Sequence, residues 1–196
     1  MKPFFTVLMS MILCVPLWAQ KDTVDVAGMY NGGSEGSLNV AVQEKVTAGT
    51  LSNTVFRLYL ADRYVLTEWI EVPEGEILEI VAPLPGTTQT TVSPQIVWQA
   101  GLPVETTQFM FNVFGDLTLK NLWLRFADAA GNQVGSPIAF QEGAVADDAQ
   151  WGNFEGCIFD YMLIGSQSGG AVTVMCKHFN GVFRNCYFRN CTDPHF

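Results

Sequence analysis

Lys177, His178, Arg184 and Arg189 lie close together toward the C-terminal end, and their types are the ones that could move a proton. A lysine or arginine acting as general base, with the imidazole of His178 nearby, can remove a proton beside a uronic-acid carboxylate. A competing reading makes Arg184 and Arg189 charge partners of Glu155 and Asp160, and lets His178 end a strand. That reading is taken here, with the four kept as candidate catalytic residues. The other histidine, His195, is in the closing Asp193-Pro194-His195-Phe196. Cys157, Cys176, Cys186 and Cys191 are the second chemical group. Cys157 and Cys186 occupy one inward column of the repeat described below, close enough for a disulfide. As two small buried hydrophobes they need no bond, because adjacent strands already hold that segment together. The Cys186-x4-Cys191 spacing has no matching histidine pair, which argues against zinc.

Glu68, Glu71, Glu74, Glu76 and Glu79 form an acidic stretch that raises the question of calcium. Their alternation with Ile70, Val72, Ile77 and Ile80 fits a solvated strand face better, and the spacing supplies no recognisable calcium loop. No metal and no cofactor are therefore expected. Trp123 and Tyr187 share an outward column with Ile158, where flat aromatics beside charges can stack on sugar rings. Packing beneath the flanking loops 127–135 and 143–152 is the equal alternative.

An internal repeat positions these side chains. Leu117–Arg125 aligns with Gly152–Asp160 and again with Gly181–Arg189, at spacings of 35 and 29. Ile138-Ala139-Phe140 aligns with Val172-Thr173-Val174 at 34. Ile77, Ile80 and Ala82 can be set on Leu119, Leu122 and Leu124 at 42, with Ile96 and Trp98 on Ile138 and Phe140. Unequal spacing with constant strands places the variation in loops, as in a solenoid. The inward columns are Leu119/Phe154/Phe183, Leu122/Cys157/Cys186 and Leu124/Phe159/Phe188. The outward columns Lys120/Glu155/Arg184 and Arg125/Asp160/Arg189 alternate in sign, as ladders of opposite charge. Asn121, Gly156 and Asn185 mark a bend that needs left-handed backbone.

The pattern Leu119-Lys120-Asn121-Leu122-Trp123-Leu124, repeated as Phe183-Arg184-Asn185-Cys186-Tyr187-Phe188, resembles the right-handed parallel β-helix proteins of the pectin-lyase-like superfamily. The segment from Tyr64 to Gly75 looks like the entry coil, and the similarity covers about 37–196. The resemblance implies an all-β fold, a right-handed parallel β-helix, with a short N-terminal capping helix over the open core. Ser37 is expected to cap that helix, which runs to Val46 and stops at Gly49. Secreted bacterial β-helix proteins of this kind often continue well past this length. The family's functions include polysaccharide lyases, hydrolases and non-catalytic adhesins. Its catalytic signatures are missing: Asp147-Asp148 sits in a Gly/Ala stretch rather than on a strand.

The remaining organisation follows from composition. Residues 1–19 have the layout of a cleaved secretory signal: Lys2, an apolar run to Leu17, and Ala19 at the cut. Residues 20–36 are polar and Gly-rich and read as a flexible leader. Residues 37–53 form the cap and 54–196 the coils. With 19 Asp+Glu against 10 Lys+Arg and a formal charge of −9, the chain lacks the basic surface that nucleic acid requires. No stretch is long enough to span a membrane. The expectation is a secreted or cell-surface bacterial module, a monomer if complete. Its C-terminal edge, left open after the third repeat, suggests the N-terminal part of a longer β-helix. It is expected to bind extracellular polysaccharide without catalysis. The alternative is a lyase or hydrolase with catalytic residues in loops or beyond residue 196.

Overall fold

A computed structural model describes residues 20–102, 109–131, 136–144, 149–160 and 171–189. The leader cut at Ala19, Asp147, Asp148, Cys191 and His195 lie outside the described residues. The remainder is predominantly β, with one α-helix, α1 (Ser37–Thr47). Three parallel sheets collect the strands in strict rotation.

The first sheet has six strands: β1 (Asp22–Val26), β2 (Thr54–Leu58), β5 (Ile77–Val81), β8 (Asp116–Lys120), β11 (Gln150–Glu155) and β14 (Phe179–Arg184). The second has five: β3 (Arg63–Leu66), β6 (Gln95–Trp98), β9 (Trp123–Asp128), β12 (Ile158–Asp160) and β15 (Tyr187–Arg189). The third has four: β4 (Ile70–Val72), β7 (Phe109–Val113), β10 (Ser136–Phe140) and β13 (Val172–Val174). From β2 onward, each strand pairs with the strand three places later, so each turn of chain adds one strand to every sheet. This arrangement is compatible with a β-helix or solenoid.

Alternation along the strands makes the core. In β8 and β11, Leu117, Leu119, Gly152 and Phe154 face inward while Thr118, Lys120, Asn153 and Glu155 face outward. The paired register puts Leu119 on Phe154 and Phe154 on Phe183, then Leu124 on Phe159 and Phe159 on Phe188. These are the columns aligned in the sequence. Strand spacing lets the rings stack: Phe154 and Phe183 are 4.8 Å apart between centroids, and Phe159 and Phe188 are 4.9 Å apart and nearly parallel. Each fully buried ring or Leu contributes about 1.5–3 kcal/mol of transfer free energy.

Three expectations are corrected. Residues 20–36 are not a flexible leader: β1 pairs along its whole length with β2, from Asp22 on Thr54 to Val26 on Leu58. The next segment is held by Asp62, whose carboxylate accepts N–H donors from Gly28, Tyr30, Asn31 and Arg63. A β-carbon at Gly28 would lie 2.6 Å from the Asp62 carboxyl carbon, so the close approach requires glycine. Second, the register of β5 is 39 residues, not 42: Ile80 sits on Leu119 and Ile77 on Asp116. Ile96 pairs with Leu124 in the second sheet rather than with Ile138. Third, Ser37 is inside the helix; Gly36, left-handed, is the N-cap, and the Ser37 hydroxyl donates to the Ala27 carbonyl instead. Leu38 and Val42 of α1 join the core. Asn39 ties the helix to the β3–β4 link through Glu68 O and Thr67 N–H.

Candidate functional site

The bends set the direction of every outward side chain. Asn121, Gly156 and Asn185 have φ of 60°, 62° and 53°. At each the chain leaves the first sheet for the second, turning the outward direction with it. The Asn121 amide donates to Ala82 O in the preceding turn, and Asn121 N–H donates to Glu155 O in the following one.

This geometry separates the candidate catalytic residues. Arg184 faces outward from the first sheet, and Arg189, beyond the Asn185 bend, faces outward from the second. Lys177 pairs with Glu142 at 3.1 Å, and the His178 carbonyl accepts from Gln150 N–H. The four do not converge on a common point, and the proton-abstracting constellation is not assembled.

Trp123 and Tyr187 part company. The Trp123 indole N–H donates to Asp160 Oδ2 at 3.0 Å, and the Arg189 guanidinium lies 4.4 Å over the ring. Arg189 also donates to Asp160 Oδ2 at 2.9 Å. One face of Trp123 is therefore occupied by a cation. Asp160, expected on a solvated ladder, is 1% exposed beneath these two side chains. With Oδ2 taking both donors, it is a buried anchor rather than a surface charge. Tyr187 is 68% exposed, and among the described residues its ring stacks on no other. In the other ladder, Lys120, Glu155 and Arg184 are in register, but no ion pair closes between them among the described residues.

The acidic stretch disperses. Glu79 pairs with Lys21 at 3.1 Å, Glu76 accepts from the Ser52 hydroxyl and N–H, and Glu74 accepts from Ala144 N–H. Among the described residues no group of three or more His, Cys, Asp or Glu could hold a metal ion. Cys157, Cys176 and Cys186 are free thiols.

A site that the sequence reading passed over lies where β5, β8 and β11 enter the first sheet. A cleft of about 230 Å³ is lined by Glu74, Glu76, Phe114, Asp116, Gly143 and Gln150, among others. Asp116 opens onto the sheet's outer face and accepts Trp151 N–H at 2.8 Å. Burial holds its carboxyl above the ordinary carboxylate range, against the lowering effect of that hydrogen bond. Trp151, beside it, is 53% exposed. The polar column Thr118 and Asn153 continues across the same face. The signal was present in the sequence: with Phe154 inward, period-two alternation sends Trp151 outward.

No family model, curated protein or solved structure matches the chain. The class rests on geometry: a predominantly β chain whose successive turns stack in three parallel sheets.

Proposed function

We propose that the chain is a right-handed parallel β-helix module, exported by a cleaved signal over 1–19, that binds extracellular or cell-surface polysaccharide without catalysis. The hand follows from the rule for parallel crossover connections, which are right-handed in about 98% of cases. The observation that carries the binding reading is Trp151, exposed on the outer face of the first sheet beside a carboxylate-lined cleft. A sugar ring stacks on an exposed indole, while carboxylates, Thr118 and Asn153 accept and donate hydrogen bonds to its hydroxyls. The acidic lining disfavours uronate polymers and favours neutral or amino sugars. Tyr187 extends the aromatic surface on a separate face, and Trp123 buttresses Asp160 rather than contacting ligand.

The test is retention on a panel of immobilised neutral, amino and uronate polysaccharides. Trp151→Ala should lower retention about tenfold, the loss of one stacking contact of ~1.4 kcal/mol, while Trp123→Phe leaves it unchanged. Retention that survives Trp151→Ala refutes the platform. One observation favours a second reading: a carboxyl raised by burial in a cleft beside other carboxylates is the pattern of a general acid. New reducing ends released by the wild type and abolished in Asp116→Asn would establish a glycoside hydrolase instead.

A further inference from the structure

We infer that Cys186 and Cys157 are a thiol–disulfide exchange pair: Cys186 reacts with a low-molecular-weight disulfide, and Cys157 resolves the product into a bond joining two successive turns. The placement is fixed from both sides. Phe154 pairs with Phe183 before the two bends, and Ile158 pairs with Tyr187 after them. Gly156 N–H donates to Arg184 O and Tyr187 N–H donates to Cys157 O, each at 2.9 Å. The two cysteines therefore face each other across one strand spacing, about 4.8 Å, inside the range of about 4.4–6.8 Å between α-carbons that a disulfide spans. Both side chains belong to the core column that begins at Leu122.

The pair is asymmetric in access. Cys157 is fully buried, whereas Cys186 is only partly covered. It is asymmetric in charge as well. The neighbouring Cys157 thiol pulls the Cys186 thiol down, and the neighbouring Cys186 together with burial pushes Cys157 up. In the resting structure the two sulfurs contact backbone carbonyls, Cys157 those of Leu119 and Glu155 and Cys186 those of Phe154 and Arg184. The more accessible sulfur is thus the one that ionises first. Cys176 is no rival, because burial raises its thiol.

The electrons balance without any further group. The Cys186 thiolate attacks one sulfur of the small disulfide, forms a mixed disulfide and expels one thiolate. The negative charge opposing ionisation of Cys157 has then gone. Cys157 gives its proton to the expelled thiolate and attacks Cys186 Sγ, releasing the second small thiolate. Two protein thiols become one disulfide, and the small disulfide becomes two thiols.

The full chain is incubated with oxidised glutathione under native conditions, alkylated, and mapped by peptide mass. The expected product has lost two hydrogens and contains a linked 157–186 peptide. Its formation should persist below the pH at which an ordinary thiol, with a pKa of about 8.5, falls silent. In Cys157→Ala, one glutathione should remain on Cys186; in Cys186→Ala, Cys157 should stay unmodified. Glutathione that persists on Cys186 in the wild type overturns the inference. So does an unreacted Cys186, or its linkage to Cys176 or Cys191. The wild-type map decides the question even if a variant fails to fold.

Discussion

Asp62 offers the sharpest test of how the N-terminal strand is held. Its side chain is almost fully buried, and each carboxylate oxygen receives two donors. Oδ2 accepts Gly28 N–H at 2.9 Å and the Asn31 amide at 2.8 Å; Oδ1 accepts Tyr30 N–H at 2.8 Å and Arg63 N–H at 2.7 Å. Asp62→Asn keeps the shape but turns one acceptor into an NH2 group. The least harmful orientation puts that group at the Oδ2 position, where Asn31 can rotate its amide to accept. Gly28 N–H then faces a donor and has no outlet to solvent. A lost bond to a charged acceptor is worth about 1.5–3 kcal/mol, and the orphaned N–H adds about 1–3. The two terms overlap, so the expected loss is about 3 kcal/mol. Urea unfolding followed by tryptophan fluorescence measures it, with Asn31→Ala as control: Asn31 is exposed, so water replaces its bond to Asp62 and the loss stays under ~1 kcal/mol. A loss in Asp62→Asn no larger than the control would refute the claim that this carboxylate fastens 27–31, and with it β1, to the sheets.

Further outcomes follow from contacts at three residues. Tyr64→Phe removes a buried hydroxyl that donates to Val26 O and accepts Tyr59 N–H, at 2.8 and 2.9 Å; denaturant titration should show a loss of about 1–3 kcal/mol. Burial also holds the Tyr64 phenol protonated beyond the ordinary tyrosine range, so an alkaline absorbance titration should find it silent until the chain unfolds. Gly156→Ala places a β-carbon against the Asn121 side-chain oxygen Oδ1 at a left-handed position, and should lower stability by about 2 kcal/mol in the same titration. Asp116→Asn acts through pH. A carboxyl raised in the folded state favours folding when protonated, so the wild type loses stability as pH rises through the carboxylate range. Asp116→Asn carries no charge at any pH, so it should be the more stable of the two at neutral pH, with the gap closing as pH falls through the carboxylate range. An unchanged gap at both pH values would remove burial as the cause.

The later turns were legible because two signals agreed: apolar columns at fixed register, and an Asn or Gly at each bend. Where the bend marker was missing, the register slipped. Ala82 occupies the bend opposite Asn121 but carries no amide and no left-handed backbone, so apolar residues alone could be matched three positions out. Asp22–Val26 was unreadable for a different reason. Its alternation covers five residues, its partner lies beyond a helix, and the carboxylate that fastens the following loop comes from Asp62, far along the chain. Asp160 was misplaced because an outward direction was equated with exposure. Trp123 and Arg189 lie outward too, and they cover it. The cleft at Asp116 draws its lining from three separate turns, which no local pattern brings together.

The pairing of each strand with only the turns before and after it has a consequence for how the chain is made. No strand has to wait for a distant partner, because its template is the turn already laid down. Once β1, α1 and the first three strands after them are in place, each further turn can dock as it emerges. A chain threaded N-terminus first through a narrow exit could thus assemble in order. The same serial logic means that a load applied to the last turn would peel turns away singly, each release lengthening the tether by three strands and the links between them.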